Sequence, residues 1–475
     1  MSSVGMQSCS DWLDINTNEL AATKTEAGYL FNYAAINYSS KRVGGDQWIP
    51  VLLAAQVASD CDYWFWGEDM YNISPYATGN GWVATYSSCG FNLKEAIKFA
   101  EEKGNKNAVA QCKLLLAQTI WESTVMYGDV PCSQAWDIVN NKTPEFDSQK
   151  DVLAYVVHLC DEAIASIDPS DSKCIDKYDI YYTGDMEKWM KLANSLKLRT
   201  LLYMANKENV GDKIAALVNE GNLLSSSDDD FKFPFFTTPG NQTPNYQLDQ
   251  QYPEDYCYTF YANPTVLNPM QAMNDPRIPF FFRANAQGEY IALDASVQGS
   301  IMLDEAVHED YSLCTEAVFN KRYFAADFPD VICSYAEVQF YLAEIYVKGL
   351  GVAKDYAKAD AAYKEGIKAS CITNGVAEAD AETFVARLAS LSALGGDEEA
   401  LKAIADQQRI EMMVRPLEAW SNQRRTGYPV LQVPANIAGD YPDVMHRWLY
   451  PDREGSVNAN VPEVEGIWTK MWFEN

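Results

Sequence analysis

The sequence predicts a mainly α-helical protein, a tetratricopeptide-like scaffold of helical hairpins interrupted by large irregular, loop-rich insertions. Three observations lead there. Apolar residues recur at intervals of three and four through a series of separate segments. One pair of those segments carries small and aromatic residues where packed helices would touch. Two long stretches lose the periodicity and fill instead with Gly, Pro, Asn and aromatic rings.

Helical periodicity runs over Asn92–Glu102, Asn107–Tyr127, Gln149–Ile167, Met186–Ala205 and Val210–Leu217. It resumes over Ser334–Val347, Asp355–Ser370, Glu378–Ser390 and Asp397–Val414. Within Ser334–Val347, residues Val338, Tyr341, Leu342, Ile345 and Tyr346 fall on one helix face. The clearest hairpin joins Tyr335–Lys348 to Tyr356–Ala369, with Ala359 and Tyr363 as the small and aromatic contact positions. Ala110 and Ala117 offer similar contacts on Asn107–Tyr127. The scaffold is therefore placed at 92–217 and 334–414 of one domain spanning 1–475.

The insertions are 56–86 and 228–325. Both are aromatic, which argues against disorder, and their length points to a functional role. Short strands are expected near Glu289–Leu293. The run Asp228-Asp229-Asp230 lacks the glycine and spaced ligands of a calcium loop and reads as a solvated turn.

Composition excludes several classes. Against 37 basic residues stand 66 acidic ones, a formal net charge of −29 that repels phosphodiester backbones and anionic head groups. No run of 18 apolar residues is present. Eleven cysteines are scattered with no CxxC and no zinc-type spacing, and Cys112, Cys160 and Cys371 fall where helices bury small apolar residues. No GxSxG elbow, phosphate-binding loop, dinucleotide fingerprint or HExxH occurs. Of the three histidines, His158 sits in an apolar helix as a packed or surface-polar residue. No catalytic residue, metal site or cofactor is assigned.

The aromatic load stands out, with 12 Trp and 29 Tyr. A ring on a loop is not required by helix packing, and it offers a flat apolar face to a sugar while neighbouring polar groups pair the hydroxyls. The first candidate cluster is Asp62, Tyr63, Trp64, Trp66, Glu68, Asp69 and Tyr71, with Trp82 in the same insertion. In the Trp64-x-Trp66 pattern, alternate residues would share one side of an extended chain. The second comprises Asn245, Tyr246, Tyr256, Tyr258 and Tyr261. Each has a plainer alternative, an aromatic seal on the helices. Arg424 and Arg425 are read as structural, bracing the C-terminal loops through carboxylates or carbonyls.

Pro416 to Leu431 reads PLEAWSNQRRTGYPVL, follows the helical Ile404–Met413 and precedes Arg447-Trp448-Leu449-Tyr450-Pro451. Pro416 interrupts that helix or starts the next. This order resembles the C-terminal signature of the SusD/RagB family of nutrient-binding outer-membrane lipoproteins of Bacteroidetes. Gly44-Gly45-Asp46, Gly128-Asp129-Val130-Pro131, Tyr182-Thr183-Gly184-Asp185-Met186, Trp189–Arg199, Asn274-Asp275-Pro276-Arg277, Lys348-Gly349-Leu350-Gly351-Val352 and Met471-Trp472-Phe473 extend the resemblance along the chain.

The resemblance implies a lipid on Cys9 as the head of an N-terminal tether (1–16), cell-surface location, glycan capture and a SusC-like TonB-dependent transporter as partner. It also implies the helical-hairpin scaffold. The charged and apolar parts of an export signal are missing before Cys9, so a chain whose signal has been cut away is expected. A peptide ligand is a second possibility within the family. A helical-repeat scaffold for proteins or peptides, and a glycoside hydrolase with a hidden carboxylate pair, are the rival readings.

Because neither a disulfide framework nor a metal cluster is visible, mild reduction or chelation should leave the cooperative melt unchanged. Loss of the melt after either treatment would contradict this reading.

Overall fold

The computed structural model describes residues 26–60, 71, 73, 75–251, 260–294, 315–434 and 441–475. In chain order the helices are α1 (Ala27–Arg42), α2 (Gly45–Ala54), α3 (Pro75–Val83), α4 (Phe91–Glu102), α5 (Lys106–Tyr127), α6 (Gln149–Ser166), α7 (Met186–Met204), α8 (Gly211–Glu220) and α9 (Tyr246–Gln251). There follow α10 (Pro264–Ala272), α11 (Ile278–Phe281), α12 (Tyr335–Lys348), α13 (Tyr356–Thr373), α14 (Glu378–Arg387), α15 (Asp397–Glu411), α16 (Pro416–Thr426) and α17 (Asp452–Val457). A π-helix, Ala84–Gly90, continues α3 into α4.

The helices pack mostly on their chain neighbours: α4 on α5, α5 on α6, α6 on α7, and α12 on α13. Helix α5 is buried around nearly its whole circumference from Asn107 to Tyr127, apart from Lys113, with Gln111, Gln118 and Glu122 hydrogen-bonded inside the core. Asn105 caps its start by accepting a hydrogen bond from the Ala108 N–H at 3.0 Å. The α12–α13 hairpin has the expected contact: Ala359 and Tyr363 are buried, and the Tyr363 ring meets Phe340 edge-on at 6.4 Å. Gly366 lets the helices close, since a Cβ there would stand 2.9 Å from the Phe340 ring. Ser334 caps α12 by accepting from the Glu337 N–H at 3.0 Å.

Two small antiparallel sheets sit among the helices. Strands β1 (Ala58–Asp60), β3 (Phe260–Ala262), β5 (Val318–Phe319) and β4 (Phe282–Arg283) form one, in that order. Strands β2 (Phe231–Phe233) and β6 (Asp330–Cys333) form the other.

Three expectations need correction. Helices α1 and α2 were not anticipated. In α1 the buried Phe31, Ala34, Ala35 and Tyr38 form a stripe at helical spacing, but Tyr29, Tyr33 and Ile36, about half exposed on other faces, blur it in the sequence. In α2, Pro50 and the buried Gln47 interrupt the pattern. The insertion 56–86 is not irregular throughout, because α3 and the start of the π-helix lie within it. The strands expected near Glu289–Leu293 are β3 and β5 instead. Leu293 N–H donates to the Ala262 carbonyl at 2.9 Å and Ala317 N–H to the Ile291 carbonyl at 2.8 Å, so that segment only flanks the sheet.

Buried arginines lock these parts together. Arg42, at the end of α1, contacts Glu122 of α5 at 3.3 Å, Asp330 of β6 at 2.8 Å and Glu418 of α16 at 2.7 Å. Glu337 on α12 contacts Arg415 at 2.6 Å and Arg199 of α7 at 3.4 Å. Pro416 starts α16 rather than breaking α15. The paired arginines are structural, as the sequence suggests. Arg425 makes two bonds of 2.7 Å to the Glu344 carboxylate, and Arg424 donates to the Val125 carbonyl at 2.8 Å with its guanidinium 3.7 Å from the Trp420 ring centroid. Burial pushes the Glu344 carboxyl up, but Arg425 and Lys348 outweigh it and hold it well below the usual carboxylate range.

Replacing Arg425 by Ala would leave Glu344 buried with Lys348 alone, at a cost of about 3–5 kcal/mol. Arg425→Lys should recover only part, because an ammonium cannot form both parallel bonds. Denaturant melts measure both; an alanine variant within about 1 kcal/mol of wild type would contradict the assignment.

Candidate functional site

The four-stranded sheet pairs the residue that precedes one aromatic stretch with the residue that follows the other. Asp60 ends β1, Phe260 begins β3, and the register pairs them directly. Residues 61–70 depart from Asp60 and residues 252–259 arrive at Phe260, so both stretches are anchored at the same edge of the fold. Asp62, Tyr63, Trp64, Trp66, Glu68, Asp69, Tyr256 and Tyr258 lie outside the described residues, as does Cys9.

The base beneath this rim is tightly bonded. Gln56 adopts a left-handed conformation (φ 53°) and turns the chain from α2 into β1. Arg409 of α15 donates to the carbonyls of Ala55 and Gln56 at 2.7 and 2.8 Å, and Thr265 Oγ1 donates to the same Gln56 carbonyl at 2.6 Å. Burial, partly offset by Asp406, pulls the Arg409 guanidinium down to about 9. Ser59 Oγ donates to the Leu293 carbonyl at 2.7 Å and accepts from Asn263 at 3.0 Å. Gln56 Nε2 donates to the Gln432 carbonyl at 2.6 Å, and Tyr71 packs edge-on against Tyr441 at 5.8 Å. The C-terminal chain therefore borders the same base.

Most described candidates are spent on packing. Tyr261 is 1% exposed within β3, Tyr71 4% and Trp82 5%. The Trp82 ring lies 4.6 Å from Tyr86, 5.2 Å from Tyr127 and 5.9 Å from Phe146, sealing α3 onto α5. These three rings face protein, which corrects their reading as open platforms. Asn245 is buried and its Oδ1 is unpaired among the described residues, inside a cavity of about 20 Å³ that it shares with Trp48 and Asp330. Tyr246, at the start of α9, is half-buried. His158 is exposed and stands 3.5 Å from Glu162.

A feature absent from the sequence reading is a cleft of about 360 Å³ beside the start of α12, lined by Ser227, Asp230, Asp327, Phe328, Thr373 and Glu411 among others. Of the acidic run at its edge, expected as a solvated turn, only Asp228 is exposed. Asp229 pairs with Lys191 at 2.9 Å, Asp230 accepts the Tyr335 N–H at 2.7 Å, and both are buried. Burial, reinforced by Glu411, pushes the Asp230 carboxyl up to about 7. The cleft's lining comes from four separate stretches of chain between Ser227 and Arg415, so no spacing pattern announces it.

Comparison with known proteins identifies the chain. A family of starch-binding proteins that associate with the outer membrane, the SusD-like family, matches residues 18–451. The chain belongs to the SusD-like family. No curated protein matches its sequence. A SusD homologue from Bacteroides fragilis shares 22% identity at a TM-score of 0.74, over 95% of this chain and 99% of that one. A SusD/RagB family protein from Bacteroides thetaiotaomicron gives 19% and 0.75, over 95% and 99%. A chitin-binding SusD homologue from Flavobacterium johnsoniae gives 18% and 0.73, over 94% and 98%. At these identities the likeness establishes the SusD-like fold. Family membership also supports a glycan-binding protein rather than an enzyme.

In this SusD-like chain the raised Asp230 carboxyl has a measurable consequence. An unfolded Asp titrates near ~3.9. Between that value and about 7 the folded protein keeps a proton that the unfolded chain has released, so stability falls as pH rises through this window and levels off above it. Glu122, Asp330 and Glu411 are raised in the same direction, also mainly by burial. Asp230→Asn should therefore flatten, without abolishing, the loss of stability between pH 5 and pH 8, by on the order of 2 kcal/mol. Parallel stability curves for variant and wild type would contradict this.

Proposed function

We propose that this SusD-like protein is a cell-surface lipoprotein, anchored through Cys9, that captures oligosaccharide at the rim of the four-stranded sheet. It passes the glycan to a SusC-like TonB-dependent transporter in the outer membrane. The observation that carries the ligand-binding part is the Asp60–Phe260 pairing, which starts one aromatic stretch where the other ends. Trp64 and Trp66 from the first stretch and Tyr256 and Tyr258 from the second are then the proposed sugar-stacking rings, with Asp62 and Tyr63 beside them. The buried base under β1 supplies the rigidity that a preorganised site needs. The family description and the chitin-binding homologue support a glycan over a peptide.

The partner and the anchor rest on family resemblance. Residues 1–25 contain Cys9, and α1 begins immediately after Glu26. Cys9 lies in the proposed tether, 1–16, whose lipid would hold the protein at the membrane beside its transporter.

The test is calorimetry with starch-type and chitin-type oligosaccharides, together with a thermal melt, on the Trp64→Ala/Trp66→Ala double variant. Loss of an aromatic hot spot costs more than about 2 kcal/mol, roughly thirtyfold in affinity. The expected outcome is that loss with an unchanged melting temperature. Retained affinity with a strongly lowered melting temperature would make these rings packing residues and overturn the assignment.

A further inference from the structure

The cleft beside α12 is lined by none of the residues proposed for the glycan rim, and its polar groups are unevenly committed. It lies between the start of α12, the end of α13 and the turn joining α15 to α16. At about 360 Å³ it falls within the range of small-ligand pockets, ~300–1,000 Å³. Phe328, Pro329, Val331 and Val414 supply apolar walls.

The two guanidinium groups at the cleft are already engaged. Arg415 is held by Glu337 and Glu411, and Arg322 donates to the Asn374 carbonyl. The carboxylates are less well satisfied. Asp230 is 5% exposed, accepts the Tyr335 N–H at 2.7 Å and forms no ion pair among the described residues. Asp327 stands exposed at the mouth and lacks a partner among them. A buried carboxylate without a cation is costly. The surroundings thus favour a ligand that brings positive charge and hydrogen-bond donors together.

We propose that this cleft binds a small ring compound bearing a primary ammonium group, an amino sugar being one example. Asp230 receives the ammonium, Asp327 attracts it at the mouth, and the ring lies against Phe328, Pro329 and Val414. Lys232 on the adjoining strand β2, Glu411 from α15 and Arg415 beyond it are the charged groups acting on Asp230, with Arg322 and Asp327 also lining the cleft. Burial keeps the Asp230 carboxyl up at about 7, so a bound ammonium would stabilise its ionised form.

The experiment is calorimetry at pH 8, where Asp230 is ionised, with cyclohexylammonium chloride and with cyclohexanol as the neutral ring of the same shape. Wild type should bind the ammonium at least tenfold more tightly than the alcohol. Asp230→Asn should weaken the ammonium at least tenfold and leave the alcohol unchanged. Thr373→Trp, at an exposed position on the cleft wall, should weaken both by obstruction while Asp230 is untouched. If Asp230→Asn fails to fold, Thr373→Trp and the comparison of the two ligands decide the matter. No binding of the ammonium to wild type, equal binding of the two ligands, or wild-type affinity in the variants would overturn the proposal. Because the probes contain no sugar, failure here leaves the glycan reading intact.

Discussion

The fold depends on Arg42. One guanidinium at the end of α1 reaches carboxylates from α5, from β6 and from α16, segments up to 376 residues away in sequence. No local contact could fix so many parts of the chain at once. The arrangement is also unbalanced, with three buried acids around one base, and burial raises both Glu122 and Asp330 above the ordinary carboxylate range. Tyr38 and Gln47 share the load by hydrogen bonding to Glu122, the latter at 2.8 Å. Removal of Arg42 would strand all three acids, which is why such a cluster specifies one arrangement more strongly than it stabilises it.

From that hub, rigidity reaches the rim in short steps. Trp48 of α2, one helix beyond Arg42, donates its indole N–H to the Val414 carbonyl at 3.0 Å. Arg409 on α15 then grips the Ala55–Gln56 turn that aims β1. Aromatic residues on loops bind usefully only when the scaffold below holds their anchor points, and here both anchor points are residues of one paired sheet. On the proposed function, the helical hairpins supply a fixed frame and the rim the binding chemistry.

The regular helices were legible because burial there follows a single period. Met186–Met204 and Tyr356–Thr373 match their expected segments within a few residues at each end. Helix α1 was not, since its exposed Tyr29 and Tyr33 imitate core residues, and neither was α2 with its internal Pro50. The roles of Arg424 and Arg425 could be read from charge and context. Trp82 and Tyr261 are buried, and composition alone cannot tell an aromatic loop from the aromatic seal that is their plainer reading. Asp229 and Asp230 were misread for a related reason: whether an acidic run is solvated depends on Lys191 and the α12 terminus, which only tertiary contacts bring near.

On the proposed function, glycan is bound at the rim where 61–70 and 252–259 are anchored, on a frame that does not change. Hydrogen–deuterium exchange with and without a saturating cognate oligosaccharide tests it most directly. The account expects new protection in peptides covering 61–70 and 252–259, with α12 to α15 exchanging as before. Protection confined to the α12–α15 hairpins, with the rim peptides unaltered, would contradict it and move ligand binding onto the helical scaffold.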